Sequence, residues 1–180
     1  MDAATQWVHL VGMNTVAFTT SFGRCALAWN DKGLTRFFLP DDVGIPAENT
    51  DAEALQWIAE IIARVQRHFD GELQDFADLH YDFSTVSPFQ HLIYAAALKV
   101  KAGETRSYGW LANEIGRGPK ASRAVGTALG RNPWVLLVPC HRFVGANGKL
   151  TGFSAPGGIA TKRRLLDLER NELFVPCATL

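Results

Sequence analysis

The nine residues LLVPCHRFV at positions 136–144 restrict the fold of this chain more than any other segment does. They place a thiol, an imidazole and a guanidinium, at Cys140, His141 and Arg142, directly after an apolar run. On the surface the thiol would be open to oxidation, whereas in the core the imidazole and the guanidinium would need hydrogen-bond partners. We therefore expect other parts of the fold to compensate for the burial of these polar groups.

The residues alone leave three interpretations of Cys140 open. A free cysteine is usually a small buried hydrophobe, although this explains neither His141 nor Arg142. A basic environment can also hold a thiol as the nucleophilic thiolate, so Cys140 and His141 could be the nucleophile and base of a peptidase or acyl hydrolase. Neighbours in an extended chain point to opposite sides, so a water or a turn would have to connect them. In the third interpretation Cys140 is a nucleophile that serves a nucleic-acid substrate.

The composition is that of an ordinary globular protein. With 180 residues, 47% of them hydrophobic, the chain can form one compact domain or two small ones. No apolar run reaches the ~18 residues of a membrane helix, and the N-terminus lacks the basic region of a signal peptide, so we expect a cytoplasmic protein without membrane contact. The three cysteines, Cys25, Cys140 and Cys177, are far apart, which argues against a disulfide framework and a Cys-x-x-Cys metal site.

Charge divides the chain into two halves. Residues 1–85 hold five Lys and Arg against thirteen Asp and Glu, whereas residues 86–170 hold thirteen against four. A basic half of this strength favours contact with a polyanion, and nucleic acid is the first candidate. We predict an N-terminal domain over residues 1–85 and a C-terminal domain over residues 86–180.

The N-terminal half has the pattern of a small antiparallel sheet with one helix. Stretches 14–20, 24–29 and 34–39 are rich in β-branched and aromatic residues, and NDKG at 30–33 is a turn sequence. Apolar residues recur at spacings of three and four over 52–69, which predicts an amphipathic helix that covers the sheet. The stretch 70–85 is a candidate for one more strand.

The C-terminal half is predicted to be mostly helical. Ser87 and Ser107 are candidate N-caps, and Gln90 completes a capping-box pattern with Ser87. Short helices over YGWLANEIG and PKASRAVGTALGRNP, joined at glycines, fit a helix-turn-helix, although an αα-hairpin has the same pattern. A last basic helix should end near Glu169. The fold class expected is therefore α/β of the α+β type.

Five segments together closely resemble the O6-alkylguanine-DNA alkyltransferase family over residues 87–170. They are SPFQ, SYGWLANEIG, PKASRAVGTALGRNP, NPWVLLVPCHRFV and GFSAPGGIATKRRLLDLE. The N-terminal half matches only in outline. The resemblance implies a monomer that binds double-stranded DNA containing O6-alkylguanine and needs no cofactor. With Cys25 as the only N-terminal cysteine, we expect no metal either.

The resemblance also implies a one-shot reaction. The damaged guanine is flipped out of the duplex, and Cys140 takes the alkyl group from its O6 atom irreversibly. His141 would activate the thiol through a bridging water while Glu169 orients His141. Asn132 would brace the turn before the active-site segment, and Arg142 would be a structural partner.

Substrate and DNA contacts are implied in the same way. Tyr108 would touch the flipped guanine and the DNA backbone, and Arg123 would fill the place that the guanine vacates. The carbonyls of Cys140 and Phe143 and the amide of Ser154 would recognise the base edge, Lys162 would support the site, and Phe153 would border the pocket where the family often has Tyr. A recognition helix in the minor groove would need small residues for close approach, here Ala121, Ser122, Ala124 and Gly126.

Two other function classes stay open. A non-catalytic sensor of alkylated DNA would bind the same lesion, but relatives of that kind lack the acceptor cysteine, which Cys140 provides. A cysteine hydrolase is disfavoured by the basic half and would turn over many times.

Overall fold

Three N-terminal strands form an antiparallel sheet in the computed structural model, which describes residues 14–42 and 55–170. They are β1 (Asn14–Thr20), β2 (Gly23–Asn30) and β3 (Gly33–Phe38), in the order β1-β2-β3. The predicted turn at 30–33 is confirmed: the Asn30 side chain accepts the N–H groups of Lys32 and Gly33. Gly33 has φ 137°, and a Cβ there would lie 2.7 Å from the His80 carbonyl oxygen, so the turn requires glycine.

Helix α1 (Leu55–Phe69) carries the expected apolar stripe. Ile58, Val65 and Phe69 are buried against the sheet face that contains Leu27 and Trp29. Residues 52–54, where we expected the helix to begin, lie outside the described residues. Helix α1 thus covers the sheet as predicted.

The expected strand within 70–85 is wrong. This stretch makes one isolated bridge, between Leu34 and Tyr81, and then a single 3₁₀ turn at Phe83–Thr85. Asp82 starts that turn because its carboxylate accepts the N–H of Ser84. The chain therefore leaves the edge of β3 after one residue pair instead of continuing beside it.

Four further helices follow the sequence pattern closely. They are α2 (Pro88–Ala97), α3 (Tyr108–Glu114), α4 (Ser122–Leu129) and α5 (Gly158–Glu169). Ser87 and Gln90 form the predicted capping box at α2, and Ser107 caps α3. Two residue pairs join β4 (Arg106–Ser107) to β5 (Phe143–Val144) in parallel. The α+β fold class is therefore confirmed.

Helices α3 and α4 pack against each other across a turn that contains Gly116 and Gly118, both with φ near 70°. The second predicted helix is shorter than expected, because Pro119–Ala121 is a 3₁₀ turn and α4 begins only at Ser122. In residues 14–42 and 55–170, no helix combines the length and apolar character that crossing a membrane requires.

The apolar run before Cys140 lies in the core. Trp134, Leu136 and Val138 are fully buried, and the indole N–H of Trp134 donates to the carbonyl of Leu34 at 2.8 Å. The N–H of Phe37 donates to the Pro133 carbonyl at 3.0 Å. The segment that carries Cys140 is therefore anchored directly on β3.

Candidate active site and nucleic-acid interface

Cys140 begins a single 3₁₀ turn, Cys140–Arg142, and lines a cavity of about 540 Å³. Only 5% of Cys140 is exposed, so a partner reaches its sulfur through this cavity. Six other residues singled out from the sequence line the same cavity: Tyr108, Ser122, Arg123, Gly126, Phe153 and Ser154. Thr127, Thr151 and Gly152 also line it and were missed, because nothing in their type or spacing marks them.

Asn132 shapes the turn that leads into the active-site segment. Its side-chain oxygen accepts the N–H of Trp134 at 3.0 Å, and its amide nitrogen donates to the carbonyl of Val138 at 2.8 Å. Both ends of the loop 134–138 are therefore tied to one buried side chain. This bracing sets where Cys140 emerges from the core.

Basic surroundings do not by themselves hold Cys140 as a thiolate. Burial raises the pKa of the thiol, and this outweighs the hydrogen bond from Asn132 and the charge of Lys162, which act to lower it. The resting thiol is therefore protonated at neutral pH. A base has to accept its proton before the sulfur can attack.

His141 is the neighbouring side chain that could accept this proton. Its ring is fully buried, and Nε2 lies 2.9 Å from Oε1 of Glu169. Burial lowers the pKa of His141 and outweighs the opposing effect of Glu169, so the ring is neutral at neutral pH. With Nε2–H directed at the carboxylate, Nδ1 is the atom free to accept a proton, and it is buried without a hydrogen-bond partner among the described residues.

The carboxylate of Glu169 is ionised although it is buried. Burial acts to raise the pKa of Glu169, but the interaction with the His141 ring, the nearby N–H of His68 and the hydrogen bonds of Arg142 hold that pKa well below its usual range. Arg142 donates from Nε to Oε2 at 3.0 Å and from Nη2 to Oε1 at 2.8 Å. Its remaining nitrogen donates to Asp75 and to the carbonyl of Val100. The guanidinium is thus fully engaged in holding the site together.

Sequence reasoning missed two members of this network, His68 and Asp75. His68 lies in the last turn of α1, and its Nε2 is 3.4 Å from Oε1 of Glu169. Asp75 accepts the N–H of Ala102 at 2.9 Å in addition to its bond from Arg142. The available signal was the position of His68, three residues after Val65 on the apolar stripe of α1.

Lys162 connects three parts of the cavity wall. Its ammonium is fully buried and donates to the carbonyl of Phe143 at 2.5 Å, to the hydroxyl of Tyr108 at 3.1 Å and to the carbonyl of Thr151 at 3.3 Å. These bonds satisfy the buried charge. They also fix the phenol of Tyr108 at the edge of the cavity.

Helix α4 forms the other side of the cavity. Arg123 and Ala124 are exposed, whereas Ala121, Ser122 and Gly126 are half-buried. A Cβ at Gly126 would lie 3.8 Å from the Tyr108 ring, which is an ordinary van der Waals contact. A side chain as small as that of alanine would therefore fit at this position without a clash. Exposed basic side chains continue around the helix at Arg117, Lys120 and Arg131. Within residues 14–42 and 55–170, no group of three potential metal ligands comes together.

Comparisons with known proteins agree with this geometry. Residues 88–171 match the family model of the 6-O-methylguanine DNA methyltransferase DNA-binding domain. The methylated-DNA–protein-cysteine methyltransferase of Mycolicibacterium paratuberculosis is 41% identical over 148 residues, which cover 82% of this chain and 87% of the relative. The Methanosarcina mazei protein of the same name is 40% identical, with 82% and 90% covered.

A solved structure, that of Mycobacterium tuberculosis OGT in complex with DNA, superposes with a TM-score of 0.74 and 37% identity. The match covers 87% of this chain and 92% of that one. Sequence and fold therefore agree over nearly the whole length of these relatives. The chain belongs to the methylated-DNA–protein-cysteine methyltransferase family.

Proposed function

We propose that this protein repairs alkylated DNA directly, by moving the alkyl group from O6 of a guanine to Cys140, once per protein molecule. The observation that carries the proposal is a cysteine that lines a cavity and is followed directly by the buried His141–Glu169 pair. The cavity has the volume typical of small-molecule sites. Its rim carries the exposed Arg123. The match to the relatives named above supports DNA as the partner.

The reaction needs a thiolate only at the moment of attack. Nδ1 of His141 takes the proton of Cys140 through a bridging water, because the two side chains share no direct hydrogen bond among the described residues. The Glu169 carboxylate stabilises the imidazolium that results. The cost of ionising the buried thiol is thus offset within the same network.

The sulfur then attacks the alkyl carbon. The S–C bond forms as the C–O6 bond breaks, and the electron pair of that bond returns to the guanine, which takes up one proton. The product thioether has no leaving group that water could displace under these conditions. One molecule of protein therefore repairs one base, and no cofactor takes part.

The guanine has to leave the duplex to reach the sulfur of Cys140, a residue that is only 5% exposed. Extrusion costs a few kcal/mol, and less for a mispaired base. Arg123 enters the vacated place in the stack, and the half-buried small residues of α4 allow the helix to approach a narrow groove. The carbonyl of Cys140, the amide of Ser154 and the phenol of Tyr108 belong to residues that line the cavity, and they meet the base there. The carbonyl of Phe143, which accepts a hydrogen bond from Lys162, is proposed to contact the base edge as well.

A mass measurement tests the proposal. Wild type, Cys140→Ser and Cys25→Ser proteins are incubated with excess duplex DNA that holds one O6-methylguanine. We expect wild type and Cys25→Ser to gain one methyl group each, on the peptide that contains Cys140, and Cys140→Ser to gain none. Repair of many equivalents by wild type, or clearance of the lesion by Cys140→Ser, would contradict the mechanism. Binding without transfer by wild type would favour a sensor instead.

A further inference from the structure

His68 is a buried histidine with one defined tautomer. Its ring is fully buried near Phe69 and Phe76, and its Nδ1 accepts the backbone N–H of Gln74 at 3.1 Å. In the neutral ring the proton therefore sits on Nε2. That N–H has no hydrogen-bond partner of ideal geometry among the described residues, and Oε1 of Glu169 lies 3.4 Å away.

We propose that His68 is a positioning residue for alkyl transfer, which acts on Glu169 and through it on His141. The inference rests on the proposed function. Its structural basis is that Oε1 of Glu169 faces His68, His141 and Arg142 at once, at 3.4, 2.9 and 2.8 Å. His68 approaches from α1, whereas the other two lie on the active-site turn. The carboxylate is thus held between two parts of the chain.

The N–H of His68 should weaken the pull of the carboxylate on the His141 proton. A carboxylate that shares its negative charge among more donors is a weaker base toward any one of them. Without His68, Oε1 would stabilise the His141 imidazolium more strongly. His141 would then be protonated at a higher pH and would be less able to accept the Cys140 proton.

The other charged groups around this centre do not change that sign. Glu169 also receives the N–H of Gly103 on Oε2 at 3.3 Å. Arg142, which contacts both oxygens of Glu169, is balanced in turn by Asp75, and Lys101 lies 3.3 Å from Asp75. None of these contacts involves His68, so we expect them to stay in place when His68 is replaced.

The test compares His68→Leu, which removes the donor, with His68→Gln, which keeps one N–H and one carbonyl. Val65→Ala is the matched control, since it alters packing on the same buried face of α1 without reaching Glu169. The first readout is the pKa of His141, from nitrogen chemical shifts of the imidazoles in the full-length protein. The second is the single-turnover methyl-transfer rate at saturating duplex, with the DNA dissociation constant measured separately.

We expect His68→Leu to raise the pKa of His141 by about half a unit or more. A rise of half a unit lowers the neutral fraction of His141 by up to about threefold in acid, so the transfer rate at mildly acidic pH should fall roughly threefold, and the dissociation constant should not change. His68→Gln and Val65→Ala should stay within about twofold of wild type in the same assay. If His68→Leu does not fold, His68→Phe carries the same comparison, because it retains an aromatic ring between Phe69 and Phe76.

Two results would overturn the inference: an unchanged His141 pKa in His68→Leu, or equal shifts in His68→Leu and His68→Gln. The nitrogen shifts do not depend on alkyl transfer. A wild-type protein without transfer activity would therefore refute the proposed function, while the same titration would still decide whether His68 controls His141.

Discussion

At the scale of single residues, the site depends on how burial changes proton affinity. Burial keeps the Cys140 thiol protonated and the His141 ring neutral, whereas Glu169 stays ionised because several donors converge on it. In the proposed mechanism, proton transfer from Cys140 to His141 would therefore create charge next to a carboxylate that is already in place. The network thus contains a proton acceptor, Nδ1 of His141, that is buried away from solvent.

The directions of these pKa shifts predict how the rate of alkyl transfer depends on pH. We expect the single-turnover rate at saturating duplex to fall in acid as His141 becomes protonated. Burial lowers the pKa of His141 from its ordinary value of 6.5, so the midpoint of this loss should lie below pH 6.5. The rate should be close to its maximum at pH 7.

The measurement is a quenched time course between pH 5 and pH 8, with the fold monitored by circular dichroism. Glu169→Gln serves as the comparison, because it replaces the ionised partner of His141 with a neutral one. A midpoint above pH 6.5 in wild type would contradict a neutral resting His141.

At the scale of elements, α4 and the turn at 140–142 face each other across one cavity. Arg123 stands on the solvent side of that cavity and Cys140 on the core side. From the solvent side, Arg123 can contact the stacked bases of the DNA without touching the sulfur of Cys140. Replacing Arg123 should therefore slow extrusion of the base and should not slow the transfer of the alkyl group.

The Arg123→Ala variant tests whether Arg123 acts on base extrusion and not on alkyl transfer. We expect the single-turnover rate on O6-methylguanine in duplex DNA to fall roughly tenfold or more, since a decade corresponds to about 1.4 kcal/mol and extrusion costs a few kcal/mol. Reaction with the free base O6-benzylguanine, if the cavity admits it, should be nearly unchanged, because no stack has to open.

Arg117→Ala is the matched control, since Arg117 is exposed in the turn before α4 and does not line the cavity. It should weaken binding slightly and leave the rate at saturating duplex unaltered. If Arg123→Ala also leaves that maximal rate intact, Arg123 is one phosphate contact among others and takes no part in flipping.

At the scale of the whole molecule, acidic and basic residues are concentrated in different halves of the chain, whereas one hydrophobic core includes residues from both halves. The core is continuous from Leu27 in β2 through Trp134 to Leu165 in α5. The excess of basic residues lies in 86–170, and several of them are exposed around α4. The division at residue 85 is thus visible in charge, and a two-domain organisation stays a prediction.

DNA affinity should accordingly depend on salt and on the basic half. For duplex DNA, the logarithm of the association constant should fall against the logarithm of salt concentration by about 0.9 for each phosphate contacted. Lys120→Ala should make that slope shallower by the amount that corresponds to about one phosphate contact. Arg24→Ala, an exposed arginine in the acidic half, should leave the slope unchanged. An affinity that does not vary with salt would count against DNA as the partner.

The sequence alone determined the features that depend on near neighbours. The capping box of Ser87 and Gln90 and the turn at Asn30 are formed by hydrogen bonds between residues three positions apart. The local sequence is therefore sufficient to predict them. The Pro-Cys-His-Arg segment likewise marks Cys140 as the candidate nucleophile by its local pattern, and this role stays a prediction. The stretch 70–85 was misjudged because the cap at Asp82 competes locally with strand pairing.

Only the tertiary structure decided which groups share Glu169 and which proton each of them carries. Asp75 and Arg142 meet across 67 residues, and His68 at the end of α1 contacts Glu169 at the end of α5. Periodicity places His68 on a buried face but does not say what it faces there. Burial then sets the proton affinities of Cys140 and His141, and burial is a property of the assembled fold and not of any short stretch of chain.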